Sequence, residues 1–127
     1  MSYLIVNRPL VISTSQELYC FRSENIMYIQ SDGNYSVFYL TDGKNYIFTM
    51  QLGKIEELID KQLSREDGLV RLGRSLIINL NHLFNINLPK GTLTLSDGVG
   101  LTHSLKASAE ALSSLKLDLE KKYAKKL

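Results

Sequence analysis

The chain has 127 residues, enough for one domain around one core and too few for two. Hydrophobic residues make up 44% and charged residues 22%, an ordinary globular balance that excludes a disordered class, and apolar runs such as Leu76-Ile77-Ile78 fall far short of a bilayer span. The net charge of +2 is uneven: residues 116–127 hold five lysines and two acids, a local +3, so the remaining 115 residues sum to −1 and global charge gives little pull on a polyanion.

No leader pattern opens the chain. Met1 to Ile12 carries Asn7, Arg8 and Pro9 and reads as a pair of strands, Tyr3–Val6 and Leu10–Ser13, with Pro9 at the bend, so a cytoplasmic location is expected. Leu18–Arg22 is the next apolar strand and contains the only cysteine, Cys20, expected to be a packed thiol. A single cysteine excludes a disulfide framework and a thiolate metal cluster. His82 and His103 stand apart without a ligand partner at metal spacing, so neither metal nor cofactor is expected.

Ser23-Glu24-Asn25 turns the chain into Ile26–Gln30, and Ser31-Asp32-Gly33-Asn34 then leads into Tyr35–Leu40. Thr41-Asp42-Gly43 leads on to Asn45–Thr49. Asp-Gly between β-rich runs is a strong hairpin signal, and two in succession predict an antiparallel meander. At Met50 the period changes: Leu52, Ile55, Leu58, Ile59 and Leu63 fall at helical spacing with Lys54, Glu56, Glu57, Asp60 and Lys61 opposite. This single apolar stripe predicts a helix that packs as a lid on the sheet.

Val70 to Asn79 is the most informative stretch. Arg71 and Arg74 stand three apart, Gly73 between them permits a tight bend, Ser75 adds a hydroxyl, and Leu76–Asn79 continues as a short apolar strand. The bland reading is two surface arginines paired with acids such as Glu66 or Asp67. Strand patterns follow at Phe84–Leu88, Thr92–Leu95 and Val99–Thr102, separated by Pro89-Lys90-Gly91 and Ser96-Asp97-Gly98. From Ser104, taken as an N-cap, Leu105, Ala109, Leu112, Leu115 and Leu119 form a helical stripe that ends in a lysine-rich tail suited to a helix C-terminus.

No catalytic constellation can be assembled. Asp32, Asp42 and Asp97 precede glycine, where the carboxylate serves the turn, and Ser75 has no histidine near it in sequence. The polar groups gather instead at connections: the tip Asp32 to Tyr35, the bend Arg71 to Ser75, and the junction His103 to Lys106. Arginine can take guanine O6 and N7 with two hydrogen bonds, asparagine can do the same with adenine, lysine reaches either guanine or phosphate, and serine hydroxyls suit phosphate oxygens.

The order of these segments resembles the LytTR DNA-binding domain of bacterial response regulators, from about Pro9 to Leu112. The most specific part is residues 71–83, Arg71-Leu72-Gly73-Arg74-Ser75-Leu76-Ile77-Ile78-Asn79-Leu80-Asn81-His82-Leu83, similar to the family's pattern of Arg, an apolar residue, two variable positions, Ser, three mostly apolar residues and Asn. Asn25-Ile26-Met27-Tyr28-Ile29-Gln30, the Leu52 to Leu63 helix, and Leu93 to Gly98 leading to Ser104 support it. The resemblance implies a mainly β fold of small antiparallel sheets in an elongated β sandwich, with one short mid-chain helix and a C-terminal helix. It implies a single domain over residues 1–127, with its core at about 9–112 and a helical basic tail at 113–127. It also implies loops, rather than a recognition helix, entering successive major grooves of promoter DNA that carries paired repeats.

Carried over by position, the hairpin-tip contact falls on Asn34 or Tyr35, the central contact on Arg74 with Arg71 beside it, and the last on Lys106, with Ser75 and Ser104 at the DNA backbone. Where the family often has arginine after the serine matched to Ser104, this chain has Leu105, one cationic contact fewer. With neither a receiver nor a membrane segment ahead of it, the chain reads as a free-standing regulator. Its expected partners are double-stranded DNA and, on that DNA, a second copy through Leu112, Leu115 and Leu119 or a partner regulator. The second reading is a protein-interaction module of the same fold, an antagonist of a full-length regulator with weak or no DNA binding.

Overall fold

The strand-rich first half folds as its β-rich runs and Asp-Gly turns predict. The computed structural model describes residues 8–123. The expected strand over Tyr3–Val6, and Lys125 and Lys126 of the tail, lie outside the described residues. The chain divides into two compact units, one up to Asn81 and one from His82.

In the first unit, β1 (Pro9–Ser13) and β2 (Leu18–Arg22) form a two-stranded antiparallel sheet. Then β3 (Ile26–Asp32), β4 (Tyr35–Leu40) and β5 (Asn45–Phe48) make the expected meander. Helix α1 spans Leu52–Gln62, and β6 (Leu69–Leu72) and β7 (Leu76–Asn79) complete a five-stranded antiparallel sheet in the order β5-β4-β3-β7-β6.

The β3–β4 hairpin pairs Asp32 with Tyr35, so its two-residue loop is Gly33-Asn34. Gly33 has φ +62°, which an L side chain rarely adopts, and no other residue type in the described chain has a positive φ. Glycine at the first loop position is what a two-residue II′ hairpin requires. The turn therefore lies one residue later than Asp-Gly alone suggests, and Asn34 stands at its apex.

Register fixes which side chains meet. Tyr46, Phe38, Ile29, Ile77 and Arg71 lie in one row across the five strands. Cross-strand neighbours share a face, so this row belongs to one side of the sheet. Leu52, Ile55 and Ile59 of α1 close over that side together with Leu10, Ile12 and Phe21 of the two-stranded sheet. Phe21 stacks on Phe38 at 4.8 Å between ring centres, and Phe48 meets Phe38 edge-on at 5.3 Å. Each such fully buried side chain contributes about 1.5–3 kcal/mol, so the lid reading of α1 holds on packing grounds. The free edge of β1 is closed by a side chain: Gln62 accepts from the Val11 N–H at 2.7 Å and donates to its carbonyl at 3.1 Å, as a paired strand would.

Cys20 departs from the sequence reading. It is exposed, because only one side of β2 faces the core and the alternation gives that side to Tyr19 and Phe21.

The second unit is a three-stranded antiparallel sheet of β8 (Leu83–Asn87), β9 (Thr92–Ser96) and β10 (Thr102–Lys106) in the order β10-β9-β8, followed by α2 (Ala109–Tyr123). Here the expected helix start is corrected. Ser104 pairs with Thr94 in mid-strand and Leu105 pairs with Leu93, so the strand runs to Lys106. The cap is Ser108, whose hydroxyl accepts from the Ala111 N–H at 3.1 Å. Leu105 is thus a buried strand residue rather than the first residue of a helical stripe. The backbone pairing offered by β9 outweighs the local helical spacing.

The fold is mainly β, in three antiparallel sheets with two helices. Among the described residues, no helix is long and apolar enough to cross a membrane.

Candidate nucleic-acid interface

Two of the predicted contact segments lie at the same end of the five-stranded sheet. Because β3 and β7 run antiparallel, the point where β3 enters its hairpin is the point where β7 begins. The Ser31 N–H donates to the Ser75 carbonyl at 2.9 Å, one step beyond the Gln30–Leu76 pair, and so stitches the hairpin arm to the β6–β7 turn. Asn34 and Tyr35 on one connection, and Arg74 and Ser75 on the other, are exposed side by side at that end. Tyr35 keeps 48% of its surface in solvent, a large exposed aromatic beside polar groups.

The two arginines have different situations. Arg74 is exposed, and its side chain takes no partner among the described residues. Arg71 is held at all three nitrogens: Nε donates to the Gly73 carbonyl at 3.0 Å, Nη2 to the Arg74 carbonyl at 2.8 Å, and Nη1 to Glu56 Oε1 of α1 at 3.0 Å. The acid it meets is Glu56, rather than Glu66 or Asp67. Arg71 shares the row of Ile77 and Ile29, so its side chain starts on the covered side of the sheet and reaches out beneath the turn. Gly73 allows that turn by taking φ +66°.

Asn79, which closes the motif, is a fold residue. It is wholly buried; its amide donates to the Ser23 and Ile26 carbonyls at 2.9 Å each, and its oxygen accepts from the Asn81 N–H at 2.9 Å. Buried amides need such partners, and here they tie the end of β7 to the turn that starts β3.

In the second unit, Ser104 and Lys106 alternate outward along β10, an edge strand, while Leu105 points the other way. The register extends this polar side: Asn85, Thr94 and Ser104 form one row, Asn87, Thr92 and Lys106 the next, and Ser96 pairs with Thr102. One face of this sheet thus carries hydroxyls, amides and an ammonium. The Thr92 to Ser96 alternation signals this face, of which the sequence reading names only Ser104 and Lys106. The β9–β10 connection is ordered by Asp97, whose Oδ1 accepts from the N–H groups of Val99, Gly100 and Leu101 at 2.8, 3.0 and 3.0 Å. These backbone donors, first that of Gly100 and then that of Val99, hold its carboxyl below the usual 3.8.

Glu56 was missed by sequence reasoning, since it lies fifteen residues from Arg71 and nothing local marks it apart from Glu57. Among the described residues, no three His, Cys, Asp or Glu side chains gather where they could hold a metal ion.

These features define a small β-rich domain that displays its polar side chains from turns and an edge strand. The chain belongs to the LytTr DNA-binding domain family, whose model matches residues 16–120. Among solved structures it is similar to a LytTr DNA-binding domain from Bacillus cereus, at 20% identity and a TM-score of 0.60, over 88% of this chain and 96% of that one. At that identity the likeness speaks for the fold. No curated protein matches the chain.

Proposed function

We propose that this domain is a sequence-specific regulator of bacterial transcription that reads promoter DNA in the major groove from its connections, and that it works in the cytoplasm. In this reading Asn34 and Tyr35 supply the hairpin-tip contact, Arg74 the central base contact and Lys106 a further one, with Ser75 and Ser104 on phosphate oxygens. The observation that carries it is the exposed Arg74 beside the Asn34 tip, held there by the Ser31–Ser75 hydrogen bond. A guanidinium without a competing carboxylate can place one pair of its N–H donors on guanine O6 and N7, and an apical asparagine can serve adenine. Family membership supports DNA as the partner.

The second reading, an antagonist that binds a related regulator, draws on Leu105. That side chain is apolar and buried, so the position offers DNA no contact. Selection of bound duplexes from a random pool, followed by titration at two salt concentrations, separates the two. Enrichment of a paired-repeat motif, with salt-sensitive affinity far above that for scrambled DNA, is expected. A folded protein that enriches nothing overturns the regulator reading in favour of the antagonist.

A further inference from the structure

We propose that Arg71 and Glu56 form a positioning couple for the DNA-reading turn: Arg71 makes no DNA contact, and instead fixes the backbone from which Arg74 reaches out, with α1 as its anchor. This deepens the DNA reading above and rests on it.

A guanidinium has five N–H donors in a rigid planar fork. In Arg71 all three nitrogens are engaged, one each with the Gly73 carbonyl, the Arg74 carbonyl and Glu56. Two of these acceptors are backbone carbonyls inside the turn that carries Arg74. The fork therefore spans the turn from below and specifies its shape, as a lysine, with a single nitrogen, cannot. The third acceptor comes from α1, which is itself packed on β1, β3 and β7 through Leu52, Ile55 and Ile59. Glu56 is thus a fixed point, and the chain of contacts runs from a packed helix through Arg71 to the Arg74 backbone. Three of the five Arg71 donors are thus committed, and swinging the fork toward a phosphate would break both carbonyl bonds and the bond to the carboxylate. Arg74 has no such ties, so it is the member of the pair free to meet a base.

Gly73 makes the brace useful. It adopts φ +66°, and a Cβ placed there would meet nothing within 4 Å. The turn is therefore not held by packing around Gly73; its tie to the covered side of the sheet is the Arg71 fork.

The test uses the full chain and the duplex enriched by selection, with Arg71→Lys, Arg71→Met, Glu56→Gln, Arg74→Ala and the Arg71→Lys/Arg74→Ala double variant, each checked for a wild-type melting transition. If Arg71 positions Arg74, Arg71→Lys lowers the cognate-to-scrambled affinity ratio by about tenfold while scrambled-DNA affinity and the salt slope stay at wild-type values, and the double variant is no worse than Arg74→Ala alone. Glu56→Gln gives a smaller loss of the same ratio. If Arg71 itself grips phosphate, Arg71→Met lowers the salt slope by about 0.9, cognate and scrambled affinities fall together, and Glu56→Gln, by freeing the guanidinium, tightens both. That pattern, or additive losses in the double variant, overturns the inference while leaving the regulator reading intact. A wild-type protein without sequence preference overturns both.

Discussion

Asn79 Oδ1 stands 2.6 Å from the point a Cβ on Gly68 would occupy, and Asn81 Nδ2 stands 2.7 Å from it. Gly68 also has φ +86°, and its carbonyl accepts from the Leu80 N–H at 2.8 Å. The glycine and the buried asparagine thus close one junction, where the chain enters β6 and leaves β7. Gly68→Ala combines an unfavourable backbone conformation with a collision against atoms fixed by hydrogen bonds, and is expected to destabilise the fold by about 2 kcal/mol or more. Urea unfolding measures it; a loss within experimental scatter would show that the junction yields.

Asn79→Asp changes one atom and reverses the hydrogen-bond sense. The carboxylate would face the Ser23 and Ile26 carbonyls, which now receive a donor. A buried carboxylate among acceptors has its folded pKa raised, so the variant retains stability at low pH and loses it as pH rises toward that value. At neutral pH it should be less stable than Asn79→Ala, and acidification should narrow the gap. Equal stability of the two across pH would show that the amide donations matter little.

Arg74→Ala is expected to cost about 1–3 kcal/mol at one base pair of the selected site and to relax preference there. Competition binding against single-base variants of the site reads this directly. Equal losses on cognate and scrambled duplexes would reduce Arg74 to a phosphate contact.

Tyr28 is 5% exposed and stacks on Tyr39 with ring centres 4.3 Å apart. Burial, with a lesser contribution from Tyr39, pushes its hydroxyl from 10.0 up to about 12. Its folded pKa is raised, so its contribution to stability is whole below pH 10 and is lost as pH climbs from 10 to about 12. Alkaline melts should therefore show falling stability in that window, with Tyr28→Phe flattening the fall. An unchanged slope in Tyr28→Phe would place the ionising group elsewhere.

Asp97 works in the opposite direction. Its folded pKa lies below 3.8, so its ordering of the β9–β10 connection is present above that value and fades as pH drops through the lowered one. Amide exchange at Val99, Gly100 and Leu101, compared between Asp97→Ala and wild type at neutral pH, should be faster in the variant at those three positions. Unaltered protection would mean the connection is held by other contacts.

Local pattern determined most of the elements. The β-rich runs Ile26–Asp32 and Tyr35–Leu40, the glycine at the hairpin between them, and the single apolar stripe of α1 are local features that mark strand, turn and helix. The motif from Arg71 to Asn79 was equally visible, and with it the place where contact groups are displayed. Tertiary structure decided what the members of that motif do. Arg71 and Arg74 look alike in sequence, but register puts Arg71 on the covered side of the sheet, beneath the turn and beside Glu56, whereas Arg74 is left in solvent. Asn79 reads as one more polar residue until its amide is found between two carbonyls more than fifty residues earlier in the chain. Ser104 reads as a helix cap until β9 supplies a partner strand. The tie of Arg71 to Glu56, the bonds of Asn79 and the strand pairing of Ser104 each depend on a partner distant in sequence, and no local pattern encodes that partner.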